Sequence, residues 1–312
     1  GIEIRRGIWY NSLIQTEKPD FGEDENRMKH PDKWRDTVDP FTLPYHSFKP
    51  LEILGYPHAG NDVFHVRGLY NGSQINAYIK SARQKGADIG NELSILSQFS
   101  AAVTPSVIDY SMEGTPFLVT QELPGERLSV IVGENRDLES LSYMAEYGAA
   151  LAKIHEMDIH AKPVKDRKFF HAPSDALLES LKLEHLRGLF PPSVTGEKPC
   201  FCHGDFHYAN VLWENHHISG ILDFELSGYG CKEFDIAWAV FVRPGQKFLR
   251  TDVELQEFLK GYRQFGVYDA ETVKTYMAQC YVYFLSFCGD DAEYCAYVRE
   301  WLNAFAAEKC GK

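Results

Sequence analysis

The chain reads Cys-His-Gly-Asp-Phe-His-Tyr-Ala-Asn over residues 202–210 and Ile-Leu-Asp-Phe-Glu over residues 221–225. An Asn therefore stands five residues after Asp205, and a second Asp, Asp223, stands eighteen residues after it. In phosphoryl-transfer sites one carboxylate accepts the proton of the attacking hydroxyl, while an amide oxygen and a second carboxylate hold magnesium. This order makes Asp205 the candidate base and makes Asn210 and Asp223 the candidate magnesium ligands.

Short apolar segments surround these polar residues. Residues 211–213 and 218–222 read as strands, and Asn-His-His at residues 215–217 reads as the turn between them. A hairpin of this kind would place Asn210 and Asp223 at neighbouring strand ends. The sequence therefore predicts that the two side chains share one metal ion.

These motifs resemble those of the aminoglycoside phosphotransferase and choline kinase superfamily, small-molecule kinases with a protein-kinase-like fold. Residues 203–210 match the family's H-G-D-x-x-x-x-N catalytic loop, and Asp223 matches its metal motif. The stretch that follows looks like the family's downstream helix with a buried Asp, here Asp235. The resemblance implies that His203 and Asp235 support the catalytic loop and that the cofactors are ATP (or GTP) and Mg²⁺.

The same resemblance implies an α+β, two-lobe fold with a small antiparallel-sheet N-lobe and a mostly helical C-lobe. We predict an irregular N-terminal extension over residues 1–45, a nucleotide-binding N-lobe over 46–122, and a C-lobe with the catalytic loop and acceptor site over 123–312. Strand-like runs occur at 51–54, 63–69, 74–80, 107–110 and 117–121, with a helix over 87–99. Asn71-Gly72 between two of these runs is a hairpin signal. Further helices are expected near 138–157, 175–190, 233–242, 252–265, 269–287 and 290–309.

Lys80 lies on a central predicted strand, twelve residues before Glu92 on the next helix. In kinases such a pair positions the α- and β-phosphates. Strand alternation puts Tyr78 on the same face as Lys80, where its ring could stack on the nucleotide base.

Two further segments are assigned to the nucleotide. Gly60 and Asn61 begin a stretch that looks like the family's phosphate-loop variant, although a Gly-Asn pair also marks an ordinary turn. Glu122 lies in Gln-Glu-Leu-Pro-Gly at residues 121–125, which corresponds in the family to the hinge that pairs with the base.

The acceptor site is the least determined part. Asp290, Asp291 and Glu293, together with Glu225, could line a site for a polycation, but Asp290 is also a candidate helix N-cap. Trp238 could contribute to a cation–π cage, although aromatic residues at helical spacing are more often part of the core.

Composition limits the partners. The 312 residues carry a net charge of −12, which argues against nucleic acid and is compatible with a cationic small molecule. We find no membrane-span or signal-peptide pattern, and the seven scattered cysteines are expected to be buried thiols in a reducing cytoplasm. The sequence does not predict an oligomeric state.

The sequence thus predicts a kinase that transfers the γ-phosphoryl group of ATP or GTP to a hydroxyl of a small, cationic acceptor, as aminoglycoside phosphotransferases do. Choline/ethanolamine kinase-like and homoserine kinase-like activities are alternatives. A non-catalytic pseudokinase is disfavoured because the lysine, base and metal residues are all present. A protein kinase is disfavoured because only twelve residues separate Asp223 from Asp235, which leaves no room for an activation loop. A zinc pair of His203 and His207 is disfavoured because the H-E-x-x-H pattern is missing.

Overall fold

The computed structural model describes residues 38–57, 60–83, 86–99, 103–132, 137–191 and 198–311. Most of the predicted N-terminal extension, residues 1–37, lies outside the described residues. The chain divides into two compact units. The first contains the residues up to Gly125 together with Ser219–Glu225, and the second contains Glu126–Ile218 and Leu226–Lys312.

The first unit is built on an antiparallel sheet with the strand order β1-β2-β3-β5-β4. Its strands are β1 (Phe48–Gly55), β2 (Asp62–Tyr70), β3 (Ser73–Ser81), β4 (Val107–Ser111) and β5 (Phe117–Gln121), and one helix, α1 (Ile89–Leu96), lies between β3 and β4 in the chain. The β2–β3 hairpin turns at Asn71 and Gly72, both with positive φ, as the Asn-Gly pair predicts. In β3, Ala77 and Ile79 are fully buried in the core. Their alternation with Tyr78 and Lys80 follows the predicted register.

Asp109 on β4 anchors the segment that leads into β1. Its carboxylate accepts backbone N–H bonds from Ser47 at 2.7 Å and from His46 and Phe48 at 2.8 Å. Burial alone would raise the pKa of Asp109, but these bonds, together with one from Tyr110, outweigh it and lower the pKa below its usual value. The ionised carboxylate of Asp109 therefore holds the backbone of residues 46–48 against β4.

Replacing Asp109 by Asn is expected to lower the free energy of unfolding by roughly 1–3 kcal/mol, because one charged acceptor serves several backbone donors. Since the folded-state pKa is depressed, this stabilisation is present above the unfolded-state pKa of about 4 and is lost as the pH falls through the folded-state value. Urea unfolding of both proteins at neutral and acidic pH measures this, and the exposed Glu113→Gln is the matched control. An equal difference at both pH values would contradict the prediction.

The second unit is mostly helical. Its helices are α2 (Leu128–Ile131), α3 (Asp137–His155), α4 (Asp175–Ser180), α5 (Lys232–Val240), α6 (Asp252–Tyr262), α7 (Ala270–Leu285) and α8 (Ala292–Cys310). Short strands complete the chain: β6 (Glu126–Arg127), β7 (Cys200–Cys202), β8 (Val211–Glu214), β9 (His217–Ile221) and β10 (Gly228–Gly230). β7 pairs with β10, and β6 pairs with β8. Within the described ranges, no helix is long and apolar enough to span a membrane.

Two glycines allow α3 and α6 to cross closely. A Cβ at Gly148 would lie 1.9 Å from the carbonyl oxygen of Phe258, and a Cβ at Gly261 would lie 1.8 Å from that of Ala145. Any larger side chain would push the helices apart. This contact brings Tyr262, the last residue of α6, to His155, the last residue of α3.

The predicted helix over residues 175–190 is wrong in length, because α4 ends at Ser180. Lys182 adopts φ of 58°, and the backbone N–H of Leu183 bonds to the carbonyl of Leu178 at 2.8 Å. This is a Schellman ending with a lysine at the position that glycine usually takes. The usual sequence signal for a helix end is therefore missing at this position.

A second correction concerns the start of the last helix. The N-cap of α8 is Asp291, whose side chain accepts the backbone N–H of Tyr294 at 2.9 Å, and not Asp290. Asp290 is exposed one residue earlier.

Candidate active site

In the first unit, one lysine contacts three carboxylates. The Lys80 ammonium lies 2.7 Å from Glu92, 2.7 Å from Asp223 and 2.8 Å from Glu225. Burial alone would lower the pKa of Lys80, but the three carboxylates raise it well above its ordinary value. Lys80 is therefore a fixed positive charge. The Lys80–Glu92 ion pair is the one that the sequence predicts.

The three acids also form a cluster of oxygen donors. One carboxylate oxygen each of Glu92, Asp223 and Glu225 lies within 4.8 Å of the others. Burial raises the pKa of Glu92, against the opposing effect of Lys80. Carboxylate oxygens are the ligands that hard cations such as magnesium take. The cluster could therefore hold a cation as well as the ammonium group.

Asp223 has an unusual backbone conformation, with φ of 66°. Non-glycine residues rarely adopt the left-handed region, although Asp and Asn tolerate it better than most, and such conformations cluster at functional sites. It precedes a short 3₁₀ turn at Phe224–Leu226. The conformation orients the carboxylate of Asp223 toward Lys80.

Glu225, which the sequence assigns to the acceptor site, contacts several residues of the first unit. Its carboxylate accepts the Asn61 amide at 2.7 Å and the backbone N–H of Asp88 at 2.8 Å, and its carbonyl accepts the Asn91 amide at 2.9 Å. Together with the Lys80 ion pair, these contacts join the segment after β1 to the start of α1. Glu225 therefore lies beside Lys80 and the start of α1, and its predicted acceptor role stays a prediction.

Tyr78 already has an aromatic partner. Its ring stacks on that of His65, with centroids 4.6 Å apart and an interplanar angle of 12°. Nε2 of His65 lies 2.8 Å from Glu122, which also accepts the Asn76 amide at 2.8 Å. Burial lowers the pKa of His65, although Glu122 opposes this shift. One face of Tyr78 is thus covered, and Glu122 is held by its side chain at the end of β5.

In the second unit, Asp205 is held on both carboxylate oxygens. The indole Nε1 of Trp238 donates to Oδ1 at 2.7 Å. The Asn210 amide nitrogen lies 3.0 Å from the Asp205 carbonyl and 3.3 Å from Oδ2, and Nε2 of His207 lies 3.7 Å from Oδ2. Since Asn210 turns its nitrogen toward Asp205, its amide oxygen is the atom left to bind a metal.

The electrostatic surroundings keep Asp205 ionised. Burial alone would raise its pKa, but His207, Arg167 and Arg243 outweigh this effect and hold the pKa well below the usual range. A carboxylate with a depressed pKa is a weak proton acceptor. Asp205 is therefore better suited to orienting a hydroxyl group than to removing its proton early.

The catalytic loop is fixed by Asp235 in α5. Its carboxylate accepts the backbone N–H of His203 at 2.7 Å and that of Gly204 at 2.9 Å. His203 is fully buried, and its Nδ1 accepts the N–H of Asp205 at 3.2 Å. Gly204 has φ of 80°, and a Cβ there would lie 2.2 Å from the carbonyl oxygen of Leu226. These contacts support the bracing roles that the resemblance implies for His203 and Asp235.

Sequence reasoning missed two arginines, the half-buried Arg167 and the buried Arg243. Arg167 donates to the Gly204 carbonyl and lies 5.1 Å from the centre of the Trp238 ring. Arg243 donates to the Trp238 carbonyl at 2.8 Å and lies 4.3 Å from the centre of the Phe241 ring. Neither has a characteristic spacing from Asp205 in the chain, so no local pattern could identify them.

The other predicted acceptor residues each have a partner or an exposed position of their own. Trp238 is 3% exposed and packs among aromatic side chains, so it is a core residue that binds Asp205. Glu293 is exposed and pairs with Arg250 at 3.1 Å. Asp291 caps α8 and Asp290 is exposed nearby. The acceptor role of these residues stays a prediction.

If Asp205 acts as the sequence predicts, replacing Trp238 by Phe should lower kcat with little change in KM for the nucleotide. The change removes a hydrogen bond to a charged group, which is worth about 1.5–3 kcal/mol, and each 1.36 kcal/mol of transition-state stabilisation is about tenfold in rate. We therefore expect a loss of roughly 10–100-fold, measured by steady-state kinetics. Trp301→Phe is the matched control, since Trp301 packs on Phe305 and Tyr281. Equal kcat values for the two variants would exclude a positioning role for Trp238.

Comparisons with family models and with solved structures agree on one family. A family model described as the phosphotransferase enzyme family matches residues 59–269. This chain is similar to the crystal structure of aminoglycoside phosphotransferase APH(4)-Ia, with 14% sequence identity and a TM-score of 0.51. The match covers 85% of this chain and 94% of the APH(4)-Ia chain. A thermostable mutant of that enzyme, in a ternary complex with AMP-PNP and hygromycin B, is 16% identical with a TM-score of 0.53 over 86% and 96% of the two chains. Curated protein sequences show no significant match. The predicted α+β kinase-like fold is confirmed.

Proposed function

This chain belongs to the phosphotransferase enzyme family, and from this premise we propose that it transfers the γ-phosphoryl group of ATP or GTP to a hydroxyl group of a small molecule. The proposal depends on two sets of side-chain contacts, one for the phosphates of the donor and one for the hydroxyl of the acceptor. Lys80 is paired with Glu92 and Asp223 in the first unit, and Asp205 is held beside Asn210 in the second. The AMP-PNP complex of a structurally similar enzyme supports a nucleotide as the donor.

The roles follow from the chemistry of each side chain. Lys80 would bind the α- and β-phosphates, with Glu92 fixing its ammonium group. Asp205 would accept the hydrogen bond of the acceptor hydroxyl and take its proton late in the reaction, because its low pKa makes it a weak base. Asp235 and His203 would keep the loop backbone in place.

Magnesium fits the donor set of this chain. The carboxylate of Asp223 and the amide oxygen of Asn210 are hard oxygen ligands of the kind that magnesium takes. When bound, the ion would neutralise charge on the phosphates. Glu225 belongs to the same oxygen cluster as Asp223, and its carboxylate would help to hold the ion.

The acceptor is proposed as a small, cationic molecule with a hydroxyl group. Two observations support it: the net charge of −12, and hygromycin B in the complex of the structurally similar enzyme. Choline, ethanolamine or homoserine is the alternative kind of acceptor. A cytoplasmic location belongs to the same proposal, since all seven cysteines are free thiols and reducing compartments keep thiols in that state.

A panel assay tests the function. Turnover of ATP and of GTP is measured with each acceptor in turn: aminoglycosides, choline, ethanolamine, homoserine and methylthioribose. The turnover of the Asp205→Asn variant gives the background rate. We expect acceptor-dependent turnover with a cationic compound and a KM for that compound that rises with salt, because exposed charges are screened over about 8 Å at physiological ionic strength. Nucleotide binding without turnover on any acceptor would favour the non-catalytic alternative. A neutral best acceptor with a salt-independent KM would reject the cationic assignment alone.

A further inference from the structure

Two cysteines and a histidine meet beside the short strand β7 in the second unit. Cys200 and Cys202 are two residues apart on the strand, so their side chains lie on the same face. Their sulfur atoms are 4.0 Å apart. A ring nitrogen of His155, at the end of α3, lies within 4.8 Å of both sulfurs.

The distance between the two sulfur atoms is typical of two ligands of one metal ion and is too long for a disulfide bond. Zinc binds thiolate sulfur at about 2.3 Å in tetrahedral geometry, which places two sulfur ligands about 3.8 Å apart. The sulfurs of a disulfide are about 2.05 Å apart. The observed 4.0 Å therefore needs only a small adjustment to hold an ion between Cys200 and Cys202.

The surroundings of His155 resemble those of a metal-binding histidine. Its Nε2 lies 3.3 Å from the Asp235 carboxylate, and its Nδ1 lies 2.7 Å from the Tyr262 hydroxyl. Metal-binding histidines usually donate their second ring N–H to a carboxylate or a carbonyl group. An ion would take one ring nitrogen of His155 in place of the contact now made there, and the other nitrogen would keep its partner.

Both cysteines are free thiols, and each would release its proton as it binds the metal. Cys202 is buried, but Cys200 is partly exposed and offers a path for an ion to enter.

We propose that His155, Cys200 and Cys202 form a binding site for one thiophilic divalent ion of the zinc class. Two thiolates would neutralise the charge of the ion, and magnesium would not compete because it prefers oxygen ligands. Cys202 directly precedes His203, and Asp235 contacts both His155 and the loop backbone. An ion here would therefore fix the base of the catalytic loop, whichever acceptor the enzyme uses.

Cobalt titration of the full chain, reduced and freed of metal, tests the site. We expect a thiolate-to-cobalt charge-transfer absorption that saturates at one ion per chain and disappears when zinc is added. Cys200→Ser and Cys202→Ser should each abolish it, whereas Cys310→Ser, at the exposed cysteine of α8, should keep it. A missing band in the unmodified protein, or a band that survives in both serine variants, would overturn the proposal.

A measurement on the unmodified protein removes any dependence on variant folding. Thiol alkylation with and without zinc, followed by mass spectrometry of peptides, should show Cys200 protected by zinc and Cys310 labelled in both samples. Equal labelling of Cys200 in both samples would contradict the site. Recovery of a Cys200–Cys202 disulfide in the reduced, zinc-loaded protein would contradict it as well. Neither readout depends on kinase activity, so both stand apart from the proposed function.

Discussion

Replacing Asp205 by Asn is expected to lower kcat by roughly 10²–10⁴-fold while the affinity for nucleotide stays unchanged. The amide keeps the size of the side chain, and its oxygen can still accept the Trp238 indole N–H. It removes the negative charge that would orient the acceptor hydroxyl and take its proton. The loss should therefore appear in kcat, measured at saturating acceptor, and not in nucleotide binding.

The matched control is Asp158→Asn, an exposed aspartate in the same unit. It removes the same charge at a distance in sequence from the catalytic loop, so it should retain the activity of the unmodified enzyme. Turnover of Asp205→Asn at the unmodified rate would reject the assignment of Asp205. A loss that appears only as a weaker affinity for nucleotide would reject it too.

The depressed pKa of Asp205 adds a test of pH dependence. A carboxyl group with a lowered pKa stays ionised as the pH falls, until the pH passes below its usual titration range of about 4. An acid limb of kcat above that pH should therefore come from another group. His207 is the largest of the charges that lower this pKa, so His207→Gln should move the titration of Asp205 upward.

Local spacing was enough to predict several parts of the structure. The Asn71–Gly72 turn, the alternation of β3 and the Lys80–Glu92 pair each depend on residues close in sequence or on a strand followed by a helix. These are the distances over which backbone propensity and side-chain periodicity act. The family's catalytic loop is also a short motif, which made it visible in the sequence.

The parts that sequence reasoning missed depend on long side chains from distant segments. Arg167 reaches Gly204 from 37 residues away, and His155 lies beside Cys200 although the two are far apart in the chain. The contacts of Glu225 with Lys80 and Asn61 also join segments that are distant in the chain. Tertiary contacts of this kind leave no regular spacing, so only the folded structure reveals them.

Loss of a residue that hydrogen-bonds to a metal ligand costs about 10–100-fold in metal affinity or activity. Replacing Asp223, a direct ligand in our proposal, by Asn is expected to raise the magnesium concentration needed for half-maximal activity by more than this. The change removes a charged ligand from a hard cation. Asn is a sharper substitution than Ala here, because Asp223 has φ of 66° and Asn tolerates the left-handed region. Lys80 keeps Glu92 and Glu225 as partners in the variant. The stability of the first unit should therefore change little, which a melting temperature will check.

Asn210→Ala is expected to have a smaller effect, since it removes a neutral ligand, and Glu52→Gln, on an exposed pair with Arg67, is the control. The sequence predicts that Asn210 and Asp223 hold the same ion. If they do, the double variant should raise the magnesium requirement by less than the product of the single effects, because the second change acts on an ion that is already poorly held. Multiplicative effects would mean that the two residues act independently. Unchanged magnesium titrations in both single variants would reject the two-ligand assignment, and the Asp205 prediction would remain testable on its own.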